Sequence, residues 1–204
     1  MERETSPLYK ALPIPPGSRS IRLLTVHPPD VTKPRGGPIR CEVTIEDLGS
    51  NPRYAALSYV WGDPSPDPPA ISCNGISLNV RLNCFLALLH LREICGRSFV
   101  IWIDAISIDQ DDDVERAHQI ELMGDIYSKA EKTYLWLGEG TTESDRVMKF
   151  LSRTGFLEFF FKGNGDLERQ DDLLNPRPRA AAFDIILAQC GLKKCVLPLD
   201  TKSR

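Results

Sequence analysis

No apolar run in this sequence is long enough to span a bilayer, and the opening stretch MERETSPLYK lacks the apolar core of a secretory signal. A cytoplasmic chain without a membrane span is the expectation. One-sided charge is also missing. Against 25 Lys and Arg stand 28 Asp and Glu, and the resulting net charge of -3 argues against nucleic acid or an anionic membrane as partner. Only three histidines occur (His27, His90, His118), and none of the six cysteines (Cys41, Cys73, Cys84, Cys95, Cys190, Cys195) has C-x-x-C spacing. A zinc site therefore lacks support, and reduced structural thiols are the preferred reading. Glycine-rich phosphate loops are absent too, since Gly36-Gly37 and Gly62 fit neither fingerprint.

Proline, by contrast, is plentiful: of 16 residues, 12 cluster near Pro7–Pro16, Pro28–Pro38 and Pro64–Pro69 and mark loops. The chain is long enough for one domain with a sizeable core. We expect a loosely held arm over residues 1–20, a domain over 21–153, and an irregular tail over 154–204 with a short helix near Ala180–Gln189.

The most ordered stretch runs from Phe99 to Gly138. Phe99-Val-Ile-Trp-Ile103 is an unbroken apolar run, the pattern of a strand covered on both faces. Asp112 followed by Glu115 fits a capping box, so a helix is expected from about Asp113. Within it Val114, Ala117, Ile120, Met123, Tyr127 and Ala130 recur at helical spacing and predict the buried stripe, with His118 on the wet side. Thr133-Tyr-Leu-Trp-Leu137 is a second apolar strand closed by Gly138, completing a βαβ unit.

Upstream, Ile21–Val26 and the alternating Ile39–Ile45 read as two strands paired at a hairpin-like edge. Tyr54–Trp61 reads as a strand ended by Gly62-Asp63-Pro64. Asn74-Gly75 is a hairpin turn between two short strands. Asn83 suits the N-cap of a helix that Gly96 ends. Downstream, a helix is expected to about Arg153, followed by an aromatic patch at Phe156–Phe161.

Two readings compete for the acidic residues Asp104, Asp109, Asp111, Asp112 and Asp113. The spacing of Asp109, Asp111 and Asp113 opens a calcium loop, but Val114 stands where that loop needs Gly and Ile120 where it needs Glu. Stabilisation of the following helix N-terminus, about 0.3–1 kcal/mol per carboxylate, is the preferred account. Asp104 directly follows a buried strand. If that strand neighbours Tyr54–Trp61, then Ser58, Trp61, Gly62, Asp63, Asp104 and Gln110 line one crevice at the carboxyl edge where open α/β sheets bind ligands. Alternatively Asp104 accepts loop amides and fixes the turn.

Two segments carry a family resemblance. Tyr54-Ala-Ala-Leu57-Ser-Tyr-Val-Trp61-Gly-Asp63 is one. The other contains Trp102, Asp104, Asp109, Gln110, Glu115, Arg116, Gln119, Met123, Tyr127, Trp136 and Gly138. Together they resemble the fungal heterokaryon-incompatibility (HET) domain, with Ser107 standing where that family usually has Cys. The resemblance covers about Ile21 to Arg153. It implies a TIR/flavodoxin-like, mostly parallel α/β sheet flanked by helices, with a small antiparallel β element near the N-terminus. It also implies a role in non-self recognition and programmed cell death, with other HET or sensor-domain proteins, or a second copy, as partners. Some TIR domains cleave NAD with one glutamate, which makes NAD a candidate ligand or substrate. The family's candidate glutamate lies in a downstream motif of two tryptophans followed by Gln-Glu. Here no Gln-Glu follows Trp136, and Glu158 and Glu168 lack the surrounding pattern. An interaction module is therefore the leading expectation. A TIR-like NAD hydrolase using another glutamate is the alternative, and a regulator that poisons the assembly of longer HET proteins is a third reading.

Overall fold

The computed structural model describes residues 6–139 and, as backbone alone, residues 183–188. The expected helix to Arg153, the patch Phe156–Phe161, Glu158, Glu168, Cys190 and Cys195 lie outside the described residues. The elements in chain order are α1 (Pro7–Ala11), β1 (Ser20–Val26), β2 (Arg40–Asp47), β3 (Ala55–Tyr59), β4 (Ala70–Cys73), β5 (Ile76–Asn79), α2 (Leu82–Cys95), β6 (Phe99–Ile103), α3 (Asp104–Ser107), α4 (Asp113–Lys129), β7 (Lys132–Glu139) and β8 (Phe183–Ala188).

All eight strands join one sheet in the order β5-β4-β2-β1-β6-β3-β7-β8. The block β6-β3-β7-β8 is parallel throughout. Numbered by chain order within that block, the strands run 2-1-3-4, which is the flavodoxin-like arrangement. Antiparallel pairing begins where β1 meets β6 through Leu24↔Ile101, Thr25↔Val100 and Val26↔Phe99. Next to β1 lies antiparallel β2, and the β4–β5 hairpin closes that side. The β1–β2 pair is thus interior to the sheet, with the later hairpin outside it. Its turn residues Asn74 and Gly75 have φ of 52° and 79°, as a tight two-residue turn requires.

Alternation along the strands feeds two cores. On one face Leu24, Val26, Leu57, Ile101, Ile103 and Trp136 meet Leu8 and Tyr9 of α1 and Cys84, Ala87, Leu88 and Leu91 of α2. On the other, Ile21, Leu23, Tyr54, Ala56 and Trp102 meet Leu122, Ile126 and Ala130 near the end of α4. Trp102 sits between Ile101 and Ile103 yet faces the opposite layer, as the two-residue strand period dictates.

Several expectations need correction. The arm over residues 1–20 contains α1, capped by Ser6 and started by Pro7, with Leu8 and Tyr9 buried. Tyr9 donates from Oη to the Ile106 carbonyl at 3.2 Å. Five residues are too few to show a helical period, but two apolar side chains suffice to dock them.

Helix α4 starts where its cap predicts, with Asp112 accepting from the Val114 and Glu115 amides. Its buried face, however, is Gln119, Leu122, Ile126 and Ala130, while Val114 and Ile120 are exposed. Gln119 is buried because its Nε2 donates to the Ser20 carbonyl at 3.0 Å. Helix α2 begins one residue before Asn83, with Arg81 at the N-cap. Gly96 does end that helix, in the left-handed conformation at φ 61°.

The expected tail helix near 180–189 is instead strand β8, parallel to β7. Six residues, apolar but for Asp184, do not distinguish the two structures by period, and the open edge of β7 decides for the strand.

Candidate functional site

Parallel strands β3 and β6 are neighbours through Ala55↔Ile101, Ala56↔Trp102 and Leu57↔Ile103, so both open on the same edge of the sheet. The chain passes from β3 to β6 on one side and returns to β7 on the other. Such a reversal, at the end of β3, is the usual ligand position in open α/β sheets.

Trp61 and Asp104 meet there. Trp61 donates from Nε1 to Asp104 Oδ2 at 2.8 Å, and the Ala105 amide donates to Oδ1 at 2.7 Å. Burial raises the Asp104 carboxyl above its usual range, and these two hydrogen bonds oppose the shift. Gln110 joins by donating from Nε2 to the Asp104 carbonyl at 2.9 Å. Behind it, Arg116 donates from Nη1 to the Gln110 carbonyl at 2.9 Å and pairs with Asp113 at 2.7 Å.

Gly62 turns the chain away from Trp61 with φ 72°, a conformation that favours glycine, and a Cβ there would come 3.0 Å from Asn83 Nδ2. Asn83 donates to the Val60 carbonyl at 2.8 Å, and Arg81 to the Gly62 carbonyl at 2.7 Å. The Arg81 guanidinium also stands 5.4 Å over the Trp61 ring.

Ser58 is half-buried on the α4 side, next to Tyr127. Tyr127 donates from Oη to the Leu57 carbonyl at 3.2 Å, and its hydroxyl is pushed up to about 12, first by burial and then by the Asp104 charge. Asp63 lies exposed beyond Gly62.

The structure thus brings Trp61, Asp104 and Gln110 into direct contact, holds Gly62 beside them, and leaves Ser58 and Asp63 at the margins. The sequence did not point to Arg81 and Asn83 as members. They reach the crevice only because the β4–β5 hairpin carries the chain to the far edge of the sheet and back.

Asp104 does what the turn-fixing reading expects, and it also holds Trp61. Its carboxylate fixes the turn through Ala105, and the same group anchors Trp61 beyond the end of β3. The site as built offers an aromatic ring under a guanidinium, a half-buried carboxylate and a side-chain amide. That set suits the holding of a polar, partly aromatic ligand.

The rest of the acidic loop is structural. Asp109 accepts the Asp111 amide at 3.1 Å, Asp112 caps α4, and the Glu115 carboxylate accepts the Asp109 amide at 2.7 Å. Glu115 is therefore not the returning half of a capping box. It pairs in bidentate fashion with the fully buried Arg22, which also donates to the Leu12 carbonyl at 2.8 Å and the Ser107 carbonyl at 3.1 Å. Ser107 Oγ accepts the Ile103 amide at 3.2 Å and so closes the strand end.

The remaining motif residues serve the core. Tyr54 donates to the Ile126 carbonyl at 2.6 Å, Trp102 stands edge-on to Tyr127, and Trp136 packs on His90. Met123 packs against the α4-side core, and Gly138 turns the end of β7 at φ 95°. Among the described residues, no group of three or more His, Cys, Asp or Glu side chains is placed to hold a metal ion.

Comparison with known proteins follows the same segments. The pattern of the family described as "Heterokaryon incompatibility protein (HET)" matches residues 54–178, which runs past the Arg153 where the motif resemblance stops. The chain is 35% identical over 158 residues to "Heterokaryon incompatibility protein 6, OR allele" of Neurospora crassa. That similarity covers 72% of this chain but 23% of the relative, so the chain spans under a quarter of the relative's length. No solved structure matches it.

Proposed function

The chain belongs to the heterokaryon incompatibility (HET) family, and from that premise we propose that it serves heterokaryon incompatibility as an interaction module. The family match over residues 54–178 carries this reading. In the proposal the module works in the cytoplasm, contacts other HET or sensor-domain proteins or a second copy of itself, and contributes to a cell-death response to non-self. The crevice around Trp61 and Asp104 then holds the segments in their working arrangement.

The test is expression in Neurospora crassa strains that carry or lack the relative, alongside an Asp104→Asn/Trp61→Ala variant that accumulates to the same level. We expect growth arrest or an altered incompatibility reaction with the natural sequence and a weakened effect with the variant. Indistinguishable growth in all strains would sink the reading.

A second reading, NAD as ligand or substrate, is favoured by one observation. Trp61, Asp104 and Gln110 lie at the strand-order reversal, where flavodoxin-like sheets hold nucleotides. A positioned acid–base group contributes about 100- to 10,000-fold in rate, and no glutamate of the downstream family motif is present in this sequence. Nicotinamide release by the purified chain separates the two readings. We expect none, and turnover that disappears in a folded Asp104→Asn variant would replace the interaction module with an enzyme.

A further inference from the structure

Away from the strand-end crevice, three thiols meet beneath the outer half of the sheet. Cys41 on β2 and Cys73 on β4 stand directly opposite each other in the parallel register. Cys84, in the first turn of α2, belongs to the same apolar cluster, and all three are buried and free. Neighbouring strands lie about 4.7–4.9 Å apart. That falls inside the roughly 4.4–6.8 Å between Cα atoms that a disulfide spans. Both side chains enter one core, so they point from the same face.

Each thiol acts on the other: Cys73 and burial push Cys41 up, while Cys41 holds Cys73 below the ordinary thiol value against the effect of burial. Burial pushes the Cys84 thiol up to about 12, and its neighbour on the other side is Tyr59.

The pair also sits on a seam. The hairpin β4–β5 is held to β2 by only two register pairs, Arg40↔Ser72 and Cys41↔Cys73. The Asn74 side chain adds to them, accepting the Val43 amide at 2.8 Å and donating to the Val43 carbonyl at 3.1 Å. Such a short attachment at a sheet edge opens more readily than the central strands. A groove of about 710 Å³ borders this seam, lined in part by His27, Arg40, Cys41, Ser72 and Asn74, while Cys73 beside it is fully buried.

We propose that Cys41 and Cys73 are a redox-responsive pair that closes to a disulfide when this seam opens to a hydroperoxide, stapling the β4–β5 hairpin to β2. The Cys73 thiolate attacks one peroxide oxygen. An S–O bond forms, the O–O bond breaks, and the other oxygen leaves as water or an alcohol after taking up a proton. Cys41 then attacks the sulfenic sulfur, so that an S–S bond forms and the hydroxyl leaves as water. The two thiols lose two electrons and two protons, and the hydroperoxide takes up both. The hairpin runs through Val80 into Arg81 and α2, so the staple also fixes the approach of Arg81 and Asn83 to the Trp61–Gly62 turn.

The experiment treats the purified 204-residue chain with hydrogen peroxide, alkylates the remaining thiols under denaturing conditions and maps the peptides by mass spectrometry. We expect a Cys41–Cys73 cross-linked peptide that dithiothreitol reverses, two hydrogens fewer in the intact mass, and a higher thermal midpoint for the oxidised protein. Cys84→Ala should form the same link, and Cys73→Ala should leave Cys41 open to alkylation. Full alkylation of Cys41 and Cys73 at a peroxide level that oxidises the half-buried Cys95 would overturn the proposal. So would a link through Cys84, or oxidation of either residue that halts at sulfinic acid.

Discussion

At Asp104 burial and charge pull in opposite directions. The carboxylate accepts two N–H groups, from Trp61 and Ala105, yet burial outweighs them and its proton affinity rises above the ordinary 3.8. The folded state therefore holds this proton more tightly than the unfolded chain does. Stability linked to Asp104 is present below pH 3.8 and is lost as pH rises through the folded-state value. Asp104→Asn removes that dependence and leaves one of the two donors without its acceptor, a cost of about 1.5–3 kcal/mol for a bond to a charged group. Urea unfolding of both proteins across this range should show the natural sequence losing ground to the variant as pH rises. A difference that is flat, or grows with pH, would show that burial does not dominate at this carboxylate. The sequence placed Asp104 at a strand end but left its partner open, because contact with Trp61 depends on β3 and β6 being neighbours.

Helices differ in how openly their sequences announce them. In α4 the Asp112 cap was legible, since the side chain that makes it sits one residue before the helix. Its buried face was not, because the pattern rule assumes that Gln is wet and Val is dry. Gln119 inverts the rule by meeting a β1 carbonyl, while Val114 lies 75% exposed. Helix α1 was invisible because five residues show no period, and the polar clasp that joins Leu8 and Tyr9 in holding it links distant segments. Arg22 of β1 binds the Leu12 carbonyl after α1, the Ser107 carbonyl of α3 and the Glu115 carboxylate of α4. Removing one member of a buried pair costs about 3–5 kcal/mol, since it leaves the other charge uncompensated. Arg22→Met should lower unfolding stability by that much, and adding Glu115→Gln should recover part of it. Additive losses in this double-mutant cycle would show that the two charges do not act as a pair.

For the whole molecule, the parallel block was legible because Phe99–Ile103 and Thr133–Leu137 are continuous apolar runs, the mark of strands covered on both faces. The position of β8 was not, since nothing local to Phe183–Ala188 names β7 as its neighbour. Nor did the sequence show that the Asn74–Gly75 hairpin crosses to the far edge and pairs with β2. This topology gives a graded molecule. Strands β3 and β6 are flanked on both sides and carry the two cores, whereas β5 is a sheet edge with alternate residues exposed. Amide exchange in the reduced protein should follow that gradient. The amides of Ile101, Trp102 and Ile103 should open only with global unfolding, about 5–15 kcal/mol for a domain, and those of Ile76–Asn79 at a clearly lower free energy. Equal protection in the two strands would mean that the hairpin unfolds as one unit with the parallel core. In that case the two-pair seam at Cys41 and Cys73 would be no weaker than the centre of the sheet.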